Sequence, residues 1–182
     1  MNAQPVATNA PHPSHRLAPA RPAQEVVVRR LKATDLPAVE AHLLALGPAD
    51  RHCRFHALLG DDAILDYVGR IDFRHMILAG AFDEDSGELV GLAETHLDSA
   101  DSPLRAETSV SVLESHRGQG VARLLTALVL DAAAARGTRR ADFYYQVGNR
   151  AIARLVRRLG APIARAPGFA SLALPLGGVV LH

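Results

Sequence analysis

Between Ser109 and Gly137 the chain runs an alternating apolar stretch, a short basic loop with two glycines, and an apolar helical pattern, "SVSVLESHRGQGVARLLTALVLDAAAARG". The loop, His116 to Ala122, falls where the first N–H groups of a helix lack partners within the helix. The aligned peptide dipoles put partial positive charge at the same place. Gly118 and Gly120 carry no Cβ, so an anion can come close to the backbone, and Arg117 and Arg123 can add charge. This pattern suits a phosphate or diphosphate, although an ordinary tight turn would use the same glycines. Two other phosphate loops are excluded by spacing: there is no G-x-x-x-x-G-K-S/T, and no G-x-G-x-x-G with an acidic residue about 20 positions on.

The elements that must position this loop follow from periodicity. "EVVVRRL" (Glu25–Leu31) reads as a β-branched strand. "ATDLPAVEAHLLALG" follows with Thr34 or Asp35 as cap, Pro37 in the first turn, Gly47 as stop, and Leu36, Val39, Leu43 and Leu46 at helical spacing. A second helix is expected near Asp61–Gly69. His75–Asp83 and Glu88–Asp98 read as a hairpin about "EDSG", and Ala106–Leu113 as the next strand. The helix after the loop spans about Gly118–Arg136. Arg140–Val147 reads as a strand, and "GNRAIARLVRRLG" as a helix capped by Asn149. "APIARA" and "FASLALPL" supply two last strands. Strand hairpins followed by a strand–helix–strand unit make a mixed α/β (α+β) sheet in a single domain, residues 25–182.

Composition narrows the function. A net charge of +1 and 4% aromatic residues give no support to nucleic acid or an anionic membrane as partner. No apolar run approaches the length of a membrane span, and residues 1–24, rich in Pro and Ala, read as a disordered tail with no secretory signal. A cytoplasmic location is the expectation. One cysteine, Cys53, cannot form an internal disulfide and sits in no catalytic context. His12 and His15 in the tail are too loosely spaced for a metal site, and no metal is expected. Arg51, His52, Arg54 and Arg74 suggest either a basic patch or a solvated surface.

Arg117-Gly118-Gln119-Gly120-Val121-Ala122 resembles the Q/R-x-x-G-x-G/A motif of the GNAT acetyltransferase superfamily. Val110-Ser111-Val112 is similar to its V-x-V strand, Leu124-Leu125 to its helix, and "NRAIARL" with Leu159-Gly160 to its N-x-x-A-x-x-L…L-G-F signature. More narrowly, "AETSVSVLESHRGQG" and "DRHCRFHALL" resemble bacterial Pat-type protein-lysine acetyltransferases. The resemblance implies a mostly antiparallel sheet of about seven strands flanked by four helices, with parallel strands 4 and 5 splayed around acetyl-CoA. It implies that Val110, Ser111 and Val112 pair with the pantetheine arm, that Arg117 through Arg123 bind the diphosphate, and that Asn149 contacts the pantetheine or caps its helix. It places Glu107 as the general base, with Glu94 a second choice.

The implied activity is direct acetyl transfer to an amine, either a protein lysine or a small molecule, by a monomer or homodimer. One departure stands out. The family's usual acid, a Tyr on the second signature helix, is replaced by Val156, so the acid must be water or a tyrosine of the preceding strand, Tyr144 or Tyr145. An alternative reading follows from that departure: a non-catalytic acyl-CoA-binding regulatory domain.

Overall fold

A computed structural model of the chain describes residues 25–101, 104–160 and 162–174. The expected tail, residues 1–24, lies outside the described residues. The strands are β1 (Val26–Arg30), β2 (Met76–Asp83), β3 (Leu89–Leu97), β4 (Arg105–Val112), β5 (Arg140–Tyr144), β6 (Pro162–Ala166) and β7 (Phe169–Ala173). They form one seven-stranded sheet in the order β1-β2-β3-β4-β5-β7-β6, in which only β4 and β5 are parallel. This is the mixed sheet that the sequence leads one to expect.

The helices are α1 (Leu36–Ala45), α2 (Pro48–Phe55), α3 (Asp61–Gly69), α4 (Val121–Ala135) and α5 (Arg150–Leu159). Among the described residues the count is therefore five rather than four, the addition being α2. Its sequence, "PADRHCRF", is mostly polar and none of its residues is fully buried, so no run of core-facing apolar residues announces it. Polar ties hold it in place, as described below.

Each face of the sheet buries a separate core. On one side α4 lays Val121, Leu125, Val129 and Leu130 against Ile77, Ala79, Ala93 and Phe143. On the other, Val39 and Leu43 of α1 and Ile64 and Val68 of α3 pack on Met76, Leu78 and Leu92. Among the described residues no helix is long and apolar enough to cross a membrane.

Gly91 sets how close α4 comes to the sheet. A Cβ there would lie 2.9 Å from Leu125 Cδ1 and 3.0 Å from Val121 Cγ1. Both contacts fall in the first turns of the helix that follows the glycine loop. Gly91→Val should therefore overpack this layer and cost about 1–3 kcal/mol. Urea denaturation reads the effect, and an unchanged midpoint would show that the layer has slack.

Candidate active site

β4 and β5 are hydrogen-bonded neighbours over only three registered pairs, Arg105 with Arg140, Ala106 with Ala141, and Glu107 with Asp142. Beyond these the strands part. β4 continues to Val112 along β3, while β5 follows β7. The β5-facing backbone edge of 108–112 is left without a strand partner. A cleft of about 760 Å³ opens there, bounded by β4, the glycine loop, the end of β5, the start of α5, and α2.

Asp142 marks the point of divergence. Its carboxylate accepts from Arg105 of β4 (2.6 Å), Arg140 of its own strand (3.3 Å) and the Ser171 hydroxyl of β7. Burial pushes this carboxyl up, but the Ser171 and Arg105 contacts outweigh it and hold it below the usual range.

One end of the cleft is the glycine loop. Gly118 and Gly120 have φ of 82° and 87°, in the left-handed region that side-chain-bearing residues rarely adopt. Arg123 and Leu124 both donate to Gly120 O, at 3.0 and 3.2 Å. The Val121 and Ala122 N–H groups, one residue further back, stand at the open helix end. His116 is locked at the base of the loop. Its Nε2 lies 3.0 Å from Asp83 Oδ2 and its Nδ1 2.8 Å from Ser115 Oγ. The His116 contact, with the Ser86 amide and hydroxyl, holds the Asp83 carboxyl at about 2. His116 is thus part of the loop's anchor, with both ring nitrogens engaged by the protein.

Of the residues that the sequence singles out, Glu107, Val110, Ser111, Val112, Arg117, Gly118, Gly120, Val121, Ala122 and Asn149 all line this one cleft, whereas Gln119 and Arg123 lie outside its lining. Two of them have side-chain duties besides. Arg117 donates to Asp50 of α2 at 2.7 Å and to Val112 O at 2.9 Å, so its charge is committed to the protein. Asn149 Oδ1 accepts from Ile152 N at 3.2 Å and caps α5.

The Ser111 hydroxyl reaches His42 Nε2 at 2.8 Å, while His42 Nδ1 lies 2.9 Å from Leu89 O. A carbonyl can only accept, so Nδ1 carries the proton and Nε2 accepts from Ser111. Burial drives His42 down to about 4, so the ring is neutral at pH 7.

The other end of the cleft holds the titratable groups. Glu107 is exposed and pairs in register with His96 of β3; both line the cleft. No hydrogen bond or ion pair engages the Glu107 carboxylate among the described residues. Glu94 is different. It is fully buried and bound by the Arg54 guanidinium of α2 and the Tyr67 hydroxyl of α3. Burial would raise its carboxyl, but the Arg54 charge, aided by His96 and Tyr67, holds it at about 2. A carboxylate so stabilised is a poor proton acceptor, which removes Glu94 from the choice of base.

α2 is fastened mainly by such contacts, with Phe55 packed edge-on against the Tyr67 ring and against the α1–α3 core beside them. Asp50 binds Arg117, Arg51 reaches Leu46 O, Leu44 O and Asp61, His52 O accepts from Gln146, and Arg54 meets Glu94. Arg51 and Arg54 therefore point inward, with side chains 15% and 8% exposed, and form no basic surface patch.

Val156 is buried in the α4–α5 core, 2% exposed. Tyr144 and Tyr145 both line the cleft. Tyr144 leans on Phe169 at 5.1 Å, whereas Tyr145 packs against the core cluster that contains Val156. No group of three or more His, Cys, Asp or Glu among the described residues could hold a metal ion.

The Acetyltransferase (GNAT) family model matches residues 44–161, well over half of the chain. The chain belongs to the GNAT family. Solved GNAT structures share its fold at low identity. The GNAT domain of S. lividans PAT superposes with a TM-score of 0.65 over 90% of this chain and 99% of that domain, at 19% identity. Spermidine N-acetyltransferase from Vibrio cholerae, in complex with CoA and spermine, does so with a TM-score of 0.61 over 81% and 95%, at 17% identity. The cAMP-binding acyltransferase from Mycobacterium smegmatis matches at 18% identity and a TM-score of 0.57, over 84% of this GNAT chain and 45% of its own length. A search of the curated proteins finds no match.

His42 makes the stability of this GNAT domain depend on pH. Its folded pKa, about 4, lies below the usual 6.5. Between those values the unfolded chain takes up a proton that the folded ring refuses, so the stabilisation is complete above 6.5 and is lost as pH falls toward 4. Urea midpoints at pH 7.5, 5.5 and 4 should fall for the wild type and fall less steeply for His42→Gln. Parallel curves for the two proteins would rule His42 out as the source.

Proposed function

We propose that this GNAT protein transfers an acetyl group from acetyl-CoA directly to an amine, with Glu107 as general base. The observation that carries the reading is the position of Glu107. Its unengaged carboxylate lies on the wall of a cleft whose other end is the helix-terminus loop. One cleft thus offers an anion cradle for the donor and a proton acceptor for the amine.

The proposed roles follow from the chemistry of aminolysis. A protonated amine has no lone pair to attack with, so Glu107 takes its proton directly or through water. The open backbone edge of Val110, Ser111 and Val112 pairs with the pantetheine arm, and an N–H near Val112 polarises the thioester carbonyl as negative charge develops on its oxygen. The Val121 and Ala122 amides with the α4 dipole receive the diphosphate. Asn149 fixes the start of α5 beside the arm. The nitrogen–carbon bond forms as the carbon–sulfur bond breaks, and the electron pair leaves with sulfur. We assign the proton for that thiolate to Tyr145, which shares a core cluster with the position where related enzymes carry their tyrosine.

The acceptor is a protein lysine or a small primary amine; the exposed setting of Glu107 suits either. Val156 at the usual acid position favours a second reading, an acyl-CoA-binding domain without turnover. Release of CoA thiol, measured with cell-extract proteins and with small amines beside a control lacking acceptor, separates the two. Turnover with at least one acceptor supports the enzyme, and none with any supports the binding domain.

Glu107→Gln should lower the acetylation rate by about 10²–10⁴-fold while leaving acetyl-CoA affinity in place; a fully active variant would remove Glu107 from the role of base. Tyr145→Phe should lower kcat with little change in acetyl-CoA affinity, and the loss should shrink with an acceptor assay limited by amine deprotonation. An unchanged kcat would assign the thiolate's proton to water.

A further inference from the structure

One wall of the cleft has no part in the chemistry just described. α5 turns Arg150 and Arg154 toward the cleft. The helix, "RAIARLVRRL", carries four arginines and no acidic residue. Arg150 and Arg154 stand at i and i+4, where like charges on one helix face repel. Arg150 also occupies the first turn, where the dipole disfavours a cation. Both residues are exposed, and neither guanidinium has an ion-pair or hydrogen-bond partner among the described residues. The other two arginines of the cleft lining are engaged, Arg54 by Glu94 and Arg117 by Asp50.

An anion in the cleft would relieve both costs, and the diphosphate is already provided for at the α4 terminus by backbone amides. We propose that Arg150 and Arg154 form a phosphomonoester subsite that binds the 3′-phosphate of the CoA donor. The inference rests on the reading of the cleft as a CoA-thioester site. A planar guanidinium presents paired N–H donors that match phosphate oxygens, and two of them one turn apart can share a doubly charged group. The protein would then recognise its donor at two separate anions, one through backbone and one through side chains.

Calorimetry with CoA and with dephospho-CoA, which lacks only the 3′-phosphate, tests this on the full chain. The wild type should bind CoA at least about tenfold more tightly at low ionic strength, with the margin narrowing as salt screens the contact. R150Q/R154Q should bind both ligands alike, at the wild-type affinity for dephospho-CoA. R154Q alone should remove part of the margin. Equal wild-type affinity for the two ligands would overturn the subsite without any variant being needed, as would a parallel loss of both affinities in the variants. Failure of both ligands to bind the wild type would instead overturn the CoA reading itself.

Discussion

The structure depends on how little of β4 and β5 pairs. Seven registered pairs join β4 to β3 and five join β5 to β7, but only three join β4 to β5. The sheet is in effect two sheets that meet at a narrow seam. Sheet edges left unpaired normally seek another strand. Here the opposite edge curves away, and the unpaired groups of 108–112 face a cavity. The seam holds because Asp142 collects donors from β4, from β5 and from β7 at the point where the strands part.

The walls of the cavity are secured by a different kind of force. α4 is attached by burial of Val121, Leu125, Val129 and Leu130, the non-directional term that dominates most packing. α2 buries nothing completely and, apart from Phe55 packed on Tyr67 and the core beneath, depends on directed polar contacts. The contact between Arg54 and Glu94 is buried, and removing either partner would strand the other charge in a dry interior. The Arg117–Asp50 pair is half exposed, where such pairs contribute only about 0–1 kcal/mol. The tie from α2 to the glycine loop is consequently weaker than its tie to β3.

Much of this was legible in the chain. The alternation of Val110 and Val112 and the two glycines of the loop each state a local rule, and local rules survive folding; the stripe that helical spacing suggests for α4, Val121, Leu124, Leu125, Leu128 and Ala132, holds only in part, since Leu124 is 40% exposed. What escaped was non-local and polar. Glu94 looks like a candidate base until Arg54, forty residues earlier, is seen against it. Arg117 looks like a phosphate ligand until Asp50, sixty-seven residues away, is found to hold it. His116, the first residue of the loop, carries no sequence sign that Asp83, thirty-three residues earlier, stands behind it. A charged side chain does not announce its partner by spacing, and α2 is built largely from such side chains.

The seam at Asp142 has a mechanical meaning. From Thr108 to Val112, β4 runs five residues past the last pair with β5, about 17 Å at about 3.3 Å per residue. That is a lever arm with its fulcrum at an ionic cluster. Rotation of the two half-sheets by about 4° at the fulcrum would change the gap at Val112 by roughly 1 Å over that arm, enough to decide whether a chain of methylenes and amides fits. The width of the opening is thus set far from where it is used, by three pairs of residues and one carboxylate.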